Sequence, residues 1–141
     1  MRVRSIATAA IVFLCLITSS FAQDQVVKTA TAAAQRWFAF VDAGQYAASW
    51  EQASSFFQSK ISKQQWEDAL QQTRAPLGKM ESRQFKSGLP ATELPGAPAG
   101  KYCVIQFKTQ FSKGGTLIET VTPMLDKDGQ WKVSGYYIKP E

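Results

Sequence analysis

The chain has 141 residues, enough for one domain, and its formal net charge is +5. Its basic residues are scattered, which does not favour a nucleic-acid-binding protein, and we expect no nucleic-acid partner. Histidine is absent, which excludes His-based triads, His general bases and His-containing zinc sites. We therefore expect no metal and no cofactor.

Residues 1–22 have the pattern of a secretory signal peptide. Arg2 and Arg4 precede an uncharged apolar stretch at residues 6–17, and the small residues Ser20 and Ala22 stand at the −3 and −1 positions of a cleavage site after Ala22. The apolar stretch is short for a membrane span, although an uncleaved N-terminal anchor is the alternative. We expect cleavage, no stable membrane anchor afterwards, and one periplasmic or secreted domain at residues 23–141.

Three helices are predicted in the first half of that domain. Residues 23–43 carry an apolar stripe at three-and-four spacing, with Asp24 as a candidate N-cap and Gly44 as the stop. Residues 45–57 continue helically, and their aromatic side chains suit a core or the wall of a cavity. Residues 62–74 form the third helix, opened by a capping box between Ser62 and Gln65.

Four strands are predicted to follow. Residues 79–87 read as a charged edge strand, and residues 88–100, with three prolines and three glycines, as a loop. Three apolar-rich segments then alternate with turns at residues 112–115 and 126–129, the pattern of an antiparallel meander. Helices followed by strands indicate the α+β class, with three N-terminal helices on a curved four-stranded antiparallel sheet.

Both turns end in glycine, which suits a type I turn with the last glycine in the left-handed conformation. This geometry places Ser112 opposite Thr116 and Asp126 opposite Gln130, so that odd-numbered residues share one mostly apolar inner face. Pro123 cannot donate a hydrogen bond within a central strand. We expect a bulge or bend there, beyond which this register need not hold.

The register predicts a polar row of Thr109, Glu119 and Tyr137 on the inner face, where a carboxylate needs hydrogen bonds or a counter-charge. Arg74 is the candidate counter-charge. One interpretation is the floor of a ligand-binding pocket, with Trp37 and Trp50 on its walls. The other is a structural cluster, which is favoured because structural ion pairs also perturb pKa values.

On the opposite, even-numbered face the same register predicts an apolar corner. Ile118, Tyr136 and Ile138 form it, which suits a homodimer through that face. The one cysteine after residue 22, Cys103, reads as a small buried core residue without a disulfide partner.

Motifs along most of the predicted domain resemble those of a bacterial family called domain of unknown function 4019. That family comprises small exported or envelope proteins without an assigned activity. It is similar in element order to the nuclear transport factor 2-like, or cystatin-like, cone fold, which implies a sheet curled around the first helix with a cavity at its open end. The resemblance is carried by Trp50, Ala53-Ser54, Phe56, Arg74-x-Pro76-Leu77-Gly78, Glu119 and Asp128-Gly129-x-Trp131-x-Val133-x-Gly135-Tyr136.

The first functional hypothesis is a non-catalytic envelope protein that binds a small apolar ligand or a protein partner through the cone cavity or the outer sheet face. The alternative is an isomerase- or dehydratase-like enzyme with Glu119 as general acid or base and Tyr137 as hydrogen-bond donor. No nucleophile or metal set accompanies them, which disfavours the enzyme. A protease inhibitor with residues 88–100 as a wedge is a third, weaker interpretation.

Overall fold

A four-stranded antiparallel sheet, covered on one face by helices, forms the fold. The computed structural model describes residues 9–141, and side chains from residue 19 onward. The predicted α+β class is confirmed, and the strands follow the order β1-β2-β3-β4. The elements are α1 (Ala9–Asp42), α2 (Tyr46–Glu51), α3 (Ser55–Lys60), α4 (Lys63–Thr73), a 3₁₀ turn (Ala75–Leu77), β1 (Met80–Ala91), β2 (Tyr102–Phe111), β3 (Gly115–Leu125) and β4 (Trp131–Pro140).

Helix α1 extends well beyond its predicted start. It runs without interruption through Asp24, so the predicted N-cap there is wrong; residues 9–23 contain neither glycine nor proline to break the helix. It ends as predicted before Gly44, whose φ is 72°. Arg2 and Arg4 lie outside the described residues, and signal-peptide cleavage stays a prediction. In the described part of the chain, no helix has the length and apolar character to cross a membrane.

The predicted second helix is divided in two, so the structure has four α-helices between residues 9 and 141 instead of three. The break falls at Ser54, whose backbone is extended (φ −66°, ψ 156°). The Ser54 hydroxyl accepts a hydrogen bond from the Phe57 amide, and its own amide donates to the Val133 carbonyl on β4 at 2.8 Å. A new N-cap and a bond to the sheet therefore end α2 and begin α3. The capping box of Ser62 and Gln65 on α4 is confirmed.

Strand β1 continues into residues that were predicted to form a loop. Gly88 pairs with Ile105, and Ala91 pairs with Tyr102. Pro90 is tolerated because β1 is an edge strand, in which some of the amides face away from the neighbouring strand. A Cβ atom on Gly88 would lie 2.7 Å from Cγ1 of Val27, so this glycine allows α1 to approach the sheet closely.

The hairpin between β2 and β3 differs from prediction by two residues. Phe111 pairs with Gly115. Gly115 is left-handed as predicted (φ 72°), but it is already the first residue of β3. A shift of two residues preserves the side-chain alternation, so Cys103, Ile105 and Phe107 are still buried on the inner face. The second hairpin matches prediction, with the Asp126 amide donating to the Gln130 carbonyl.

A bulge in β4 lies opposite the segment that precedes Pro123. Val121 pairs with Tyr136 and Pro123 with Val133, so Ser134 and Gly135 together oppose Thr122. The Ser134 hydroxyl donates to the Thr122 carbonyl at 2.7 Å. The expected irregularity at the proline is confirmed. Because of the extra residue, the side chains of β4 that follow the bulge lie on the opposite face of the sheet from the one predicted.

Two predictions about β4 are wrong because of this bulge. Tyr136 and Ile138 turn to the inner face, so the predicted apolar corner on the outer face is wrong; a homodimer through that face stays a prediction without this support. Tyr137 turns outward, with 55% of its surface exposed.

Candidate functional site

Glu119 lies at the centre of a polar cluster inside the sheet and has no exposed surface. Its Oε1 accepts hydrogen bonds from the Thr109 hydroxyl at 2.6 Å and from Nε of Arg83 at 2.8 Å. Its Oε2 accepts one from the Tyr136 hydroxyl. Each of the four strands contributes one of these residues, so the carboxylate joins the whole width of the sheet.

A second carboxylate extends the cluster to the helices. Asp42, the last residue of α1, accepts two hydrogen bonds from Arg83, at 2.7 and 2.9 Å, and one from Arg74 at 3.2 Å. A negative charge at a helix C-terminus is unfavourable, and here two guanidinium groups compensate it. Glu119, Arg83, Asp42 and Arg74 thus form a charge-balanced series, which we call the ion network.

Aromatic rings support both arginines. The Arg83 guanidinium lies 3.8 Å from the centre of the Phe38 ring, and that of Arg74 lies 4.5 Å from the centre of the Phe111 ring. Arg74 also donates to the Gly78 carbonyl at 2.8 Å, while its Nε is buried without a hydrogen-bond partner. The ion network therefore ties the ends of α1 and α4 to the sheet.

These contacts shift the pKa values of Tyr136 and Arg83. Burial, together with the charge of Glu119 and the hydrogen bond to it, raises the pKa of Tyr136 well above its ordinary value, so the hydroxyl stays a donor. Burial alone would lower the pKa of Arg83, but its hydrogen bond to Asp42 and the charge of Glu119 outweigh burial and raise it. The Tyr136 hydroxyl therefore donates to Glu119, and Glu119 itself has no exposed surface.

The structure brings together only some of the predicted site residues. Thr109 and Glu119 meet as predicted, but Tyr137 lies on the other face, and its predicted place beside Glu119 is wrong. Arg74 contacts Asp42 and not Glu119 in its ion pair. Trp37 packs against Tyr136, with ring centres 5.3 Å apart, and its indole nitrogen donates to the Ser49 carbonyl.

Trp50 is not a member of the ion network. Its indole nitrogen donates to the Ile61 carbonyl at 2.8 Å, which connects α2 to the end of α3. A cleft of about 280 Å³ lies between α4 and β4, and its wall includes Tyr136 but not Glu119.

Sequence reasoning missed Asp42, Arg83 and Tyr136. Asp42 lies one helical turn after Phe38 and so follows the apolar stripe of α1, a usable signal. Tyr136, and not Tyr137, belongs to the motif that carries the family resemblance. No local signal pointed to Arg83. Its position depends on the register between β1 and β2, and a long loop and two bulges make that register unpredictable from the sequence.

An open cleft lies between α1 and the free edge of β4, and we call it the α1–β4 cleft. Its volume is about 450 Å³. Phe40 and Trp131 are partly buried in its lining, together with the buried Trp37 and Val133. Its polar lining residues are Arg36, Gln52, Gln130 and Lys132. Among the described residues, the Trp131 indole nitrogen has no hydrogen-bond partner.

No metal site is evident in this fold: within the described residues, no group of three or more His, Cys, Asp or Glu side chains is arranged to hold an ion. No curated protein matches the chain. No solved structure matches it either.

A family model matches residues 33–136, a stretch that begins in α1 and ends at Tyr136. It therefore includes all four members of the ion network and both further partners of Glu119. Since the match covers more than half of the chain, the protein belongs to the family described as Protein of unknown function (DUF4019).

Proposed function

We propose that this chain is an exported, non-catalytic binding protein that takes a small apolar ligand in the α1–β4 cleft. The proposal is carried by a difference in accessibility between Glu119 and the α1–β4 cleft. Glu119 is sealed and bonded on both oxygens by the chain's own groups, whereas the α1–β4 cleft is open and has aromatic walls. Export rests on the signal-peptide pattern of residues 1–22, which gives a periplasmic or secreted location.

The size and chemistry of the cleft support a small ligand. Its volume of about 450 Å³ falls in the range usual for small-molecule sites, and such sites combine apolar walls with a few polar groups. Trp37 is fixed by its hydrogen bond to Ser49, so this part of the lining is rigid before a ligand arrives. Trp131 contributes an indole nitrogen without a partner in the described chain.

The nuclear transport factor 2-like, or cystatin-like, cone is part of this proposal. A four-stranded antiparallel sheet with α1 packed on its inner face supports it. In this chain the interior of such a cone would be occupied by the ion network, which moves the binding site to the flank of α1.

The positions of Glu119 and Tyr137 do not favour the enzyme alternative. A general acid or base must come within hydrogen-bonding distance of its substrate. Glu119 has no exposed surface, and Tyr137, its proposed helper, lies on the outer face. A protein partner on the outer face stays an expectation, and we favour the small ligand because the aromatic cleft is the more specific feature.

A neutral fluorescent probe, N-phenyl-1-naphthylamine, tests the proposal. We expect saturable binding with increased probe fluorescence, and a loss of affinity of about fivefold or more in Trp131→Ala, since one aromatic contact is worth roughly 0.5–1.5 kcal/mol beyond its area. Tyr137→Ala is the matched control, because it removes an exposed aromatic residue outside the cleft. Equal binding by wild type and a correctly folded Trp131→Ala variant would sink the proposal.

A further inference from the structure

The α1–β4 cleft has an unbalanced charge. Arg36 and Lys132 are its charged lining residues, and the lining contains no carboxylate. Lys132 already binds Asp128, with Nζ 2.7 Å from Oδ2. Arg36 is exposed and has no hydrogen-bond or ion-pair partner among the described residues. One cation at an aromatic cleft is thus left without a counter-charge.

The groove between α1 and β1 provides a comparison. It is also partly apolar, with Val27 and Phe85 in its lining. Its charged lining residues are Asp24 and Lys28, one of each sign, so their charges balance. The excess of positive charge therefore distinguishes the α1–β4 cleft from the groove between α1 and β1.

We propose that the ligand of the α1–β4 cleft is an amphipathic anion: an apolar body with one carboxylate or a similar oxyanion. Arg36 binds the anionic group, because a guanidinium offers paired donors that match a carboxylate. The apolar body contacts Phe40 and Trp131. This inference rests on the proposed function and adds the chemical class of the ligand to it.

Two probes of nearly the same shape test the role of Arg36. N-phenyl-1-naphthylamine is neutral, and 8-anilinonaphthalene-1-sulfonate adds a single sulfonate to the same skeleton. We expect Arg36→Gln to weaken binding of the sulfonate about fivefold, the upper range for one exposed ion pair, and to leave binding of the neutral probe unchanged. Added salt should weaken only the sulfonate, because ions screen exposed charges.

Lys28→Gln is the matched control, since it removes the same charge from an exposed position on the same helix. It should leave both probes unaffected. Circular dichroism of each variant verifies that the fold is retained.

The outcomes separate the two proposals. Suppose that binding of the neutral probe depends on Trp131. The anionic ligand is then ruled out, while the binding function stands, if Arg36→Gln leaves sulfonate binding unchanged. The same conclusion follows if Lys28→Gln weakens sulfonate binding as much as Arg36→Gln does. If neither probe depends on Trp131, the binding function fails and the anionic ligand with it. Selective loss of the sulfonate in Arg36→Gln supports both.

Discussion

Nε of Arg83 lies 2.8 Å from Oε1 of Glu119, and this contact joins edge strand β1 to β3 across the width of β2. The Glu119 side chain has no exposed surface, and 9% of the Arg83 side chain is exposed. Removing two charges from water is costly, so such a pair is tolerated only when further hydrogen bonds satisfy both groups. Thr109, Tyr136 and Asp42 supply those bonds here.

Arg83→Met should destabilise the fold by about 3–5 kcal/mol, because it leaves the buried Glu119 carboxylate without its cation. Urea unfolding followed by circular dichroism measures the change. Adding Glu119→Gln should recover part of the loss, since the double variant no longer buries that charge. Lys108→Met is the control: its ion pair with Glu141 has the same length, 2.8 Å, but is nearly half exposed. That change should cost less than about 1 kcal/mol. Equal losses for Arg83 and Lys108 would contradict the buried network.

Tyr136→Phe should cost about 1–3 kcal/mol, because one oxygen of Glu119 then lies buried without a donor. Tyr137→Phe, the same change one residue later on the exposed face, should cost less than about 0.5 kcal/mol. Urea midpoints of the two variants test the β4 bulge directly. The bulge as described would be wrong if the Tyr137 variant lost more stability than the Tyr136 variant.

Asp126 should make folding stability depend on pH. It lies in the turn between β3 and β4 and accepts hydrogen bonds from the amide and hydroxyl of Ser55, at 2.9 and 2.6 Å, at the start of α3. Burial alone would raise the pKa of Asp126, but the bonds from Ser55 and Lys127 and the charge of Lys132 outweigh it and lower that pKa.

Because the folded-state pKa of Asp126 lies below the ordinary value of about 3.9, its stabilising contribution is present above that pH and is lost as pH falls through the lowered pKa. We expect Asp126→Asn to cost about 1 kcal/mol at pH 7, with a smaller difference from wild type in strong acid. Urea unfolding at several pH values measures it. A difference that does not change with pH would show that the charge plays no part.

Cys103 should resist labelling by a bulky maleimide in the native protein. The residue has no exposed surface, and burial raises the pKa of its thiol, which lowers the fraction of reactive thiolate. Labelling should be at least about 1,000-fold slower than in urea, as expected when it needs unfolding that costs several kcal/mol. Mass spectrometry of the peptide that contains Cys103 measures its rate. Rapid native labelling would mean that β1 does not cover this end of β2.

Local signals predicted a large part of the fold. The capping box at Ser62, the left-handed Gly129 turn and the irregularity at Pro123 each depend on neighbours within a few residues, and all three are present. The buried odd-numbered face of β2 was predictable because strand alternation survives a shift of two residues. Thr109 and Glu119 remain together for the same reason.

The candidate site was less predictable because small changes in pairing decide it. One extra residue in β4 replaces Tyr137 with Tyr136 beside Glu119. The counter-charge is Arg83 and not Arg74, since the pairing of an edge strand reached through a long loop has no local signature.

By itself, the sequence determined the α+β class, the apolar faces, most turns and caps, and the absence of histidine chemistry, because each depends on residue type or on short-range periodicity. Only the tertiary structure decided which side chains satisfy Glu119, and that the α1–β4 cleft stays open while the interior is closed. Those outcomes depend on residues far apart in the chain: Arg83 contacts Asp42, and Trp131 lines the same cleft as the flank of α1, because strand pairing and bulges bring them together.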